Sequence, residues 1–207
     1  MSHVRRIPAG HVIHDGNQDL NWFAIVISGV VKLVKAHADG RQQIVGLLFP
    51  SDFLGRPYSA GSSLIAEAAT DLHLCCFSRK AFENLVRDQP TLKYAFLSRT
   101  LDALDASREW IFVLGRKTAQ EKVASLLLLI ASEVARSDAR WESARSSLNF
   151  DLPLSRTEVA DCLGLTIETV SRELRKLKSK GVLITEGRRS VAIPSLAVLS
   201  AIANGSA

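Results

Sequence analysis

The sequence predicts an α+β protein: an N-terminal antiparallel sandwich or small barrel, then a long helix, then a C-terminal helix-turn-helix with a two-stranded wing. Three observations predict it. Up to Cys76, short β-branched runs alternate with turn residues; after Pro90, apolar residues fall on one helical stripe; after Asn149, two capped helical patterns flank a glycine turn. The expected division is residues 1–89 for the β domain, 90–136 for the long helix and its successor, 137–150 for a linker, and 151–207 for the helix-turn-helix domain.

The strand candidates are Val12-Ile13, Phe23 to Ile27, Val30 to Val34, Gln43 to Leu48 and Leu72 to Phe77, separated by Asp15-Gly16, Ser28-Gly29, Asp39-Gly40 and Pro50-Ser51-Asp52. Asp39-Gly40 is the strongest hairpin signal, because both residue types tolerate positive φ. From about Leu92 to Gly115, Leu97, Leu101, Leu104 and Ile111 recur at helical steps, interrupted by Arg108. Left uncovered, that stripe would expose apolar surface, so it predicts a homodimer. Thr118 and Glu121 form a capping-box pattern ahead of a second helix, Ala119 to about Ala135, whose apolar residues from Leu126 to Ile130 run nearly all round and predict burial. Ser137 to Asn149 is polar apart from Trp141 and reads as the linker.

Ser155-Arg-Thr-Glu158 is a second capping box, opening a helix with Val159, Ala160 and Leu163 on its inner side. Gly164-Leu165 supplies a tight turn, Thr166 caps the next helix, and Val170, Leu174 and Leu177 form that helix's buried face. Glu173 departs from the apolar residue often found at its position. The opposite face carries Ile167, Glu168, Ser171, Arg172 and Arg175, with Lys176 beside them. Arginine, glutamate and serine are side chains suited to base edges in a major groove, so double-stranded DNA is the expected partner. Gly181 to Ile184 and Val191 to Ile193 read as a wing whose basic tip, Arg188 and Arg189, would meet phosphate.

Composition agrees without deciding the matter. The 207 residues are 47% hydrophobic and 23% charged with net charge +5, a globular balance that mildly favours a polyanion. No apolar run reaches the roughly 18 residues a membrane span needs, and no signal region opens the chain, so a cytoplasmic protein is expected. Three cysteines, two of them adjacent, make a poor disulfide set. An enzyme is disfavoured, since there is no phosphate-binding glycine loop, no Gly-x-Ser-x-Gly elbow and no His-Glu-x-x-His. His11, His14, His37 and His73 show no ligand spacing and read as ordinary core or surface residues, so no metal is expected. A regulatory subunit without DNA affinity is disfavoured by Glu168 and Arg172 on one face.

Leu163-Gly-Leu-Thr-Ile-Glu-Thr-Val-Ser-Arg172, Phe53-Leu-Gly-Arg56-Pro57 and the stretch from Trp110 to Lys122 carry a family resemblance. Over nearly its whole length the chain resembles the CRP/FNR superfamily of bacterial regulators, especially the FNR and FixK branches of alphaproteobacteria. The resemblance implies a β-roll sensor (jelly-roll, cyclic-nucleotide-binding-like), a dimerisation helix and a winged helix-turn-helix. It also implies an activator that binds TTGAT-N4-ATCAA as a homodimer and contacts RNA polymerase, with Glu168, Ser171 and Arg172 reading bases. At the sensor the pattern departs. Cyclic-nucleotide binders of the family use an acidic residue and an Arg-Ser or Arg-Thr pair where this chain has Arg56 and Ser62-Ser63, so cyclic AMP is not expected. FNR-type sensors hold a 4Fe-4S cluster with three N-terminal cysteines and a fourth at the end of the β-roll. Cys75 falls at that fourth position, but no N-terminal cysteine run is present. The expectation is therefore no cofactor in this chain, unless it is the truncated form of an oxygen-responsive regulator with its other cluster cysteines upstream. Cys75 and Cys76 otherwise read as buried strand residues, and Cys162 as a packed one.

Overall fold

The computed structural model describes residues 2–16, 21–56, 63–137, 148–187 and 189–206. The chain divides into two compact units, Met1–Arg108 and Glu109–Ala207. The first contains β1 (His3–Ile7), β2 (Val12–His14), β3 (Trp22–Ser28), β4 (Val31–Ala36), β5 (Gln42–Leu48), β6 (Phe53–Leu54), β7 (Ile65–Ala68), β8 (Leu72–Ser78) and α1 (Arg79–Asp88), and α2 (Pro90–Arg116) starts in it. The strands form two four-stranded antiparallel sheets, ordered β1-β8-β3-β6 and β2-β7-β4-β5.

Period-two alternation explains the core. Ala24 and Val26 of β3, with Leu72, Leu74 and Cys76 of β8, meet Val31, Ala66 and Ala68 of the other sheet in one apolar cluster. The alternate residues of β3 and β8 point the other way, where Phe23, Phe53 and Phe77 are covered by Phe82 and Val86 of α1 and by Leu92 and Phe96 of α2. Phe23 stacks on Phe82 with ring centroids 3.9 Å apart. Helix α1 was not anticipated. Its signals are Ser78, whose hydroxyl accepts from the Ala81 amide, and Phe82 and Val86 one helical turn apart.

The β4–β5 hairpin forms at Asp39-Gly40, but only Gly40 takes positive φ, at +87°. Asp39 contributes through its side chain instead. One carboxylate oxygen accepts from the Arg41 amide at 3.1 Å and the other from Arg41 Nε at 2.8 Å, an Asx-type brace that pulls the carboxyl below its usual range.

Helix α2 is 27 residues long, about 40 Å at 1.5 Å per residue. Leu97, Leu101, Leu104 and Ile111 are between 45 and 71% exposed. Arg108, which interrupts their stripe, pairs with Asp105 on the same helix at 2.8 Å.

The second unit holds α3 (Ala119–Ser137), β9 (Leu148–Asp151), α4 (Arg156–Leu163), α5 (Ile167–Ser179), β10 (Ile184–Glu186), β11 (Ser190–Ile193) and α6 (Leu196–Ala203). The capping box before α3 forms, with Glu121 Oε2 accepting from the Thr118 amide at 2.7 Å. Val123, Ala124, Leu126, Leu127, Ile130 and Ala131 are buried, and α3 packs on α6, α5, β9 and α4. The sequence pattern joined α3 to the long helix. The contacts join it to the C-terminal unit, because its wide apolar surface is covered by helices that follow it in the chain.

The wing also differs from expectation. It is a three-stranded sheet, β10-β11-β9, and the third strand comes from the stretch read as linker. Leu148 and Phe150 face inward and Asn149 and Asp151 outward, a pattern too short to register among polar neighbours. Of the rest of the expected linker, Ser137 ends α3 and residues 138–147, with Trp141, lie outside the described residues. Among the described residues no helix is long and apolar enough to cross a membrane.

Candidate nucleic-acid interface

Two caps and one turn place α5. The Ser155 hydroxyl accepts from the Glu158 amide at 3.3 Å, and Glu158 Oε2 accepts from the Ser155 amide at 2.7 Å, which satisfies two otherwise unpaired donors at the start of α4. Gly164 ends α4 at φ +62°, with the Leu165 amide returning to the Ala160 carbonyl at 3.1 Å. A Cβ on Gly164 would meet nothing within 4 Å, so the left-handed backbone, not close packing, calls for glycine here. The Thr166 hydroxyl then accepts from the Thr169 amide at 3.2 Å and starts α5. Val159, Ala160 and Leu163 of α4 are buried, as are Val170, Leu174 and Leu177 of α5.

The outer face of α5 carries the residues read from sequence. Ile167, Glu168, Arg172, Arg175 and Lys176 are exposed and Ser171 is half-buried. Glu168 lies in the first turn, where its own backbone amide and the Thr166 hydroxyl hold its carboxyl below the usual range, so it is an ionised acceptor at neutral pH. Arg175 Nε donates to the Ser171 carbonyl at 3.2 Å. Lys178 Nζ donates to the Thr185 hydroxyl at 3.0 Å and ties α5 to the wing. Arg189 is exposed beside β11, and Arg188 lies outside the described residues.

Sequence reasoning noted Glu173 as a departure and gave it no role. Glu173 is only 3% exposed. Its Oε1 accepts from Arg172 Nε at 3.1 Å and from Lys176 Nζ at 3.0 Å. Arg172 Nη2 also reaches the Thr169 hydroxyl at 3.5 Å.

The first unit holds the residues at the expected cyclic-nucleotide and iron–sulfur positions. At the phosphate position Ser62 lies outside the described residues, and the Ser63 hydroxyl accepts from Lys35 Nζ at 2.6 Å. Arg56 is exposed, a cation where an acidic side chain would meet ribose. The cysteines part company, in a correction to their joint reading as buried. Cys76 is in the core, where burial pushes its thiol up, whereas Cys75 is half-buried on the opposite face of β8, between Val4 of β1 and Ile25 of β3. Cys162 is buried in the second unit and its thiol is pushed up to about 12, first by that burial and then by Asp161. His14 is buried, with Nε2 unpaired among the described residues, while His73 Nδ1 meets Ser28 Oγ at 3.0 Å and His37 Nδ1 meets Asp39 at 3.1 Å. No group of three His, Cys, Asp or Glu side chains that could hold a metal occurs among the described residues.

The fold and the α5 face together define a DNA-binding protein of the winged helix-turn-helix class joined to a β-roll. Residues 4–89 match the family described as cyclic nucleotide-binding domain, and residues 121–202 the Crp-like helix-turn-helix domain. The chain is 45% identical over 201 residues to the transcriptional activator protein FnrL of Cereibacter sphaeroides, spanning 96% of this chain and 79% of that protein. It is 36% identical over 180 residues to the nitrogen fixation regulation protein FixK of Bradyrhizobium diazoefficiens, spanning 84% and 71%. The structure of FixK2 from Bradyrhizobium japonicum matches with a TM-score of 0.85 at 27% identity, covering 98% of this chain and 97% of that one. The chain belongs to the CRP/FNR superfamily of transcription regulators, among its FNR- and FixK-type members, a family of regulators and not of enzymes.

Proposed function

We propose that this chain is a cytoplasmic transcription activator that binds TTGAT-N4-ATCAA as a homodimer, one α5 per half-site, and works through contact with RNA polymerase. The observation that carries the reading is the two-sidedness of α5. Its inner face is buried in a capped, glycine-turned helix pair, and its outer face offers an ionised carboxylate, a hydroxyl and cationic side chains to solvent. Glu168, Ser171 and Arg172 read base edges. Ile167 packs against the groove; Arg175, Lys176 and the wing arginines 188 and 189 hold phosphate. The exposed stripe of α2 supplies the dimer contact. Relatives named as activators at 45 and 46% identity support the direction of regulation. The test is a mobility shift with the 207-residue chain, in which the palindromic duplex should be retarded as a complex of two chains while a scrambled duplex of equal length competes poorly. A complex that forms equally on both sinks the reading.

The β-roll takes neither cyclic AMP nor, from these residues alone, a four-iron cluster. Such a cluster normally takes about four thiolates, and the described residues offer one accessible cysteine, Cys75. Anaerobic incubation with iron and sulfide should leave the purified chain colourless. A four-iron absorption spectrum from this polypeptide would overturn that assignment and favour an oxygen-responsive regulator.

A further inference from the structure

We propose that Glu173 is a positioning residue for sequence reading: from beneath α5, its carboxylate holds the Arg172 guanidinium and the Lys176 ammonium in place before DNA arrives. The inference rests on the reading of α5 as the DNA-contacting helix and adds a component which that reading does not need. Glu173 shares the buried side of α5 with Val170, Leu174 and Leu177. Its Oε2 is buried with no hydrogen-bond partner among the described residues, so as a structural element it is a poor choice. An apolar side chain of similar size would fill the site without desolvating a charge.

What the carboxylate adds is geometry. One oxygen, Oε1, receives both Arg172 Nε at 3.1 Å and Lys176 Nζ at 3.0 Å. Both cationic side chains remain about half exposed, at 54 and 52%, so their heads are anchored at one point and open to solvent elsewhere. With Nε engaged and Nη2 close to Thr169, rotation about the last bonds of Arg172 is restricted, while Nη1 and the second hydrogen of Nη2 are not used by these contacts. A long side chain held this way loses less freedom on binding, and a guanidinium fixed in one plane discriminates better between base edges. Burial pushes the Glu173 carboxyl up, but the hydrogen bonds from Lys176 and Arg172 outweigh it, so the clamp is charged at neutral pH.

The experiment compares Glu173→Leu with Glu173→Gln in the full chain, on the palindromic and the scrambled duplex, together with thermal unfolding. Both variants remove the same charge, which cancels its general effect on DNA affinity, and only Gln keeps an oxygen for Arg172. Expected is a cognate-to-scrambled affinity ratio lower for Leu than for Gln by about tenfold, with unfolding of the Leu variant unchanged or raised. In an Arg172→Ala background the Leu–Gln difference should vanish. Equal ratios for Leu and Gln, or an equal loss on both duplexes, overturn the proposal. If the Leu variant fails to fold, Glu173→Met replaces it in the same comparison. A wild-type chain that does not discriminate the duplexes removes the reading of α5 itself, and the clamp with it; discrimination lost in Arg172→Ala but kept in Glu173→Leu removes the clamp alone.

Discussion

Leu104→Glu combined with Ile111→Glu should convert the protein to monomers and lower its affinity for the palindrome by about 10² to 10⁴-fold, the range lost when two linked binding events become independent. Each apolar side chain of the α2 stripe that is buried contributes about 1.5–3 kcal/mol, and the four are 45–71% exposed in the single chain. Two glutamates per chain remove that gain and bring like charges together across a symmetric contact. Arg108 lies between the two positions on the same stripe and already pairs with Asp105, so this single cation does not offset two new anions. Sedimentation velocity at micromolar concentration reads the first effect and a mobility shift the second. A double variant that still sediments as a dimer places the interface elsewhere.

Arg172→Ala should cost about 1–3 kcal/mol per half-site on the palindrome, if its guanidinium grips guanine through two hydrogen bonds. A symmetric dimer feels the loss twice, about 2–6 kcal/mol in all, or about 30-fold to 10⁴-fold in affinity. Binding to a scrambled duplex should fall much less. Arg175, Lys176 and Arg189 stay exposed, and phosphate contacts, not base contacts, set the steepness of the salt dependence. Arg172→Lys should rescue little, because an ammonium cannot reproduce a planar two-donor grip. Equal weakening on both duplexes would make Arg172 a phosphate contact and the assigned reading face wrong.

The helix-turn-helix was legible because its determinants are local. Ser155 with Glu158, Gly164, and Thr166 each act within four residues, and the period of Val170, Leu174 and Leu177 shows which face is inside. The third wing strand was not legible. Leu148 and Phe150 become a strand only by pairing with β11, some forty residues further on. Strand β6, two residues long, and helix α1, whose Arg79 and Lys80 mask an amphipathic turn, were hidden for related reasons. The parity of β8 was available by counting from Leu72, which sends Cys76 inward and Cys75 outward, but an almost continuous apolar run disguises it. Glu173 shows the limit of residue-type reasoning. Its sequence position identified it as anomalous, yet only coordinates show that its carboxylate turns back to two cations on the outer face.

The most direct test of sequence reading by α5 is the affinity of the full chain for a set of palindromic duplexes in which each base pair of TTGAT and of the spacer is replaced in turn. We expect losses of about 1–3 kcal/mol at the pairs that are read, mirrored in the two half-sites, with only small changes across the spacer. Replacing Glu168 by Ala should flatten the profile at one pair and leave the others standing. A wild-type profile flat at every position would contradict sequence reading by this helix and leave only phosphate attraction.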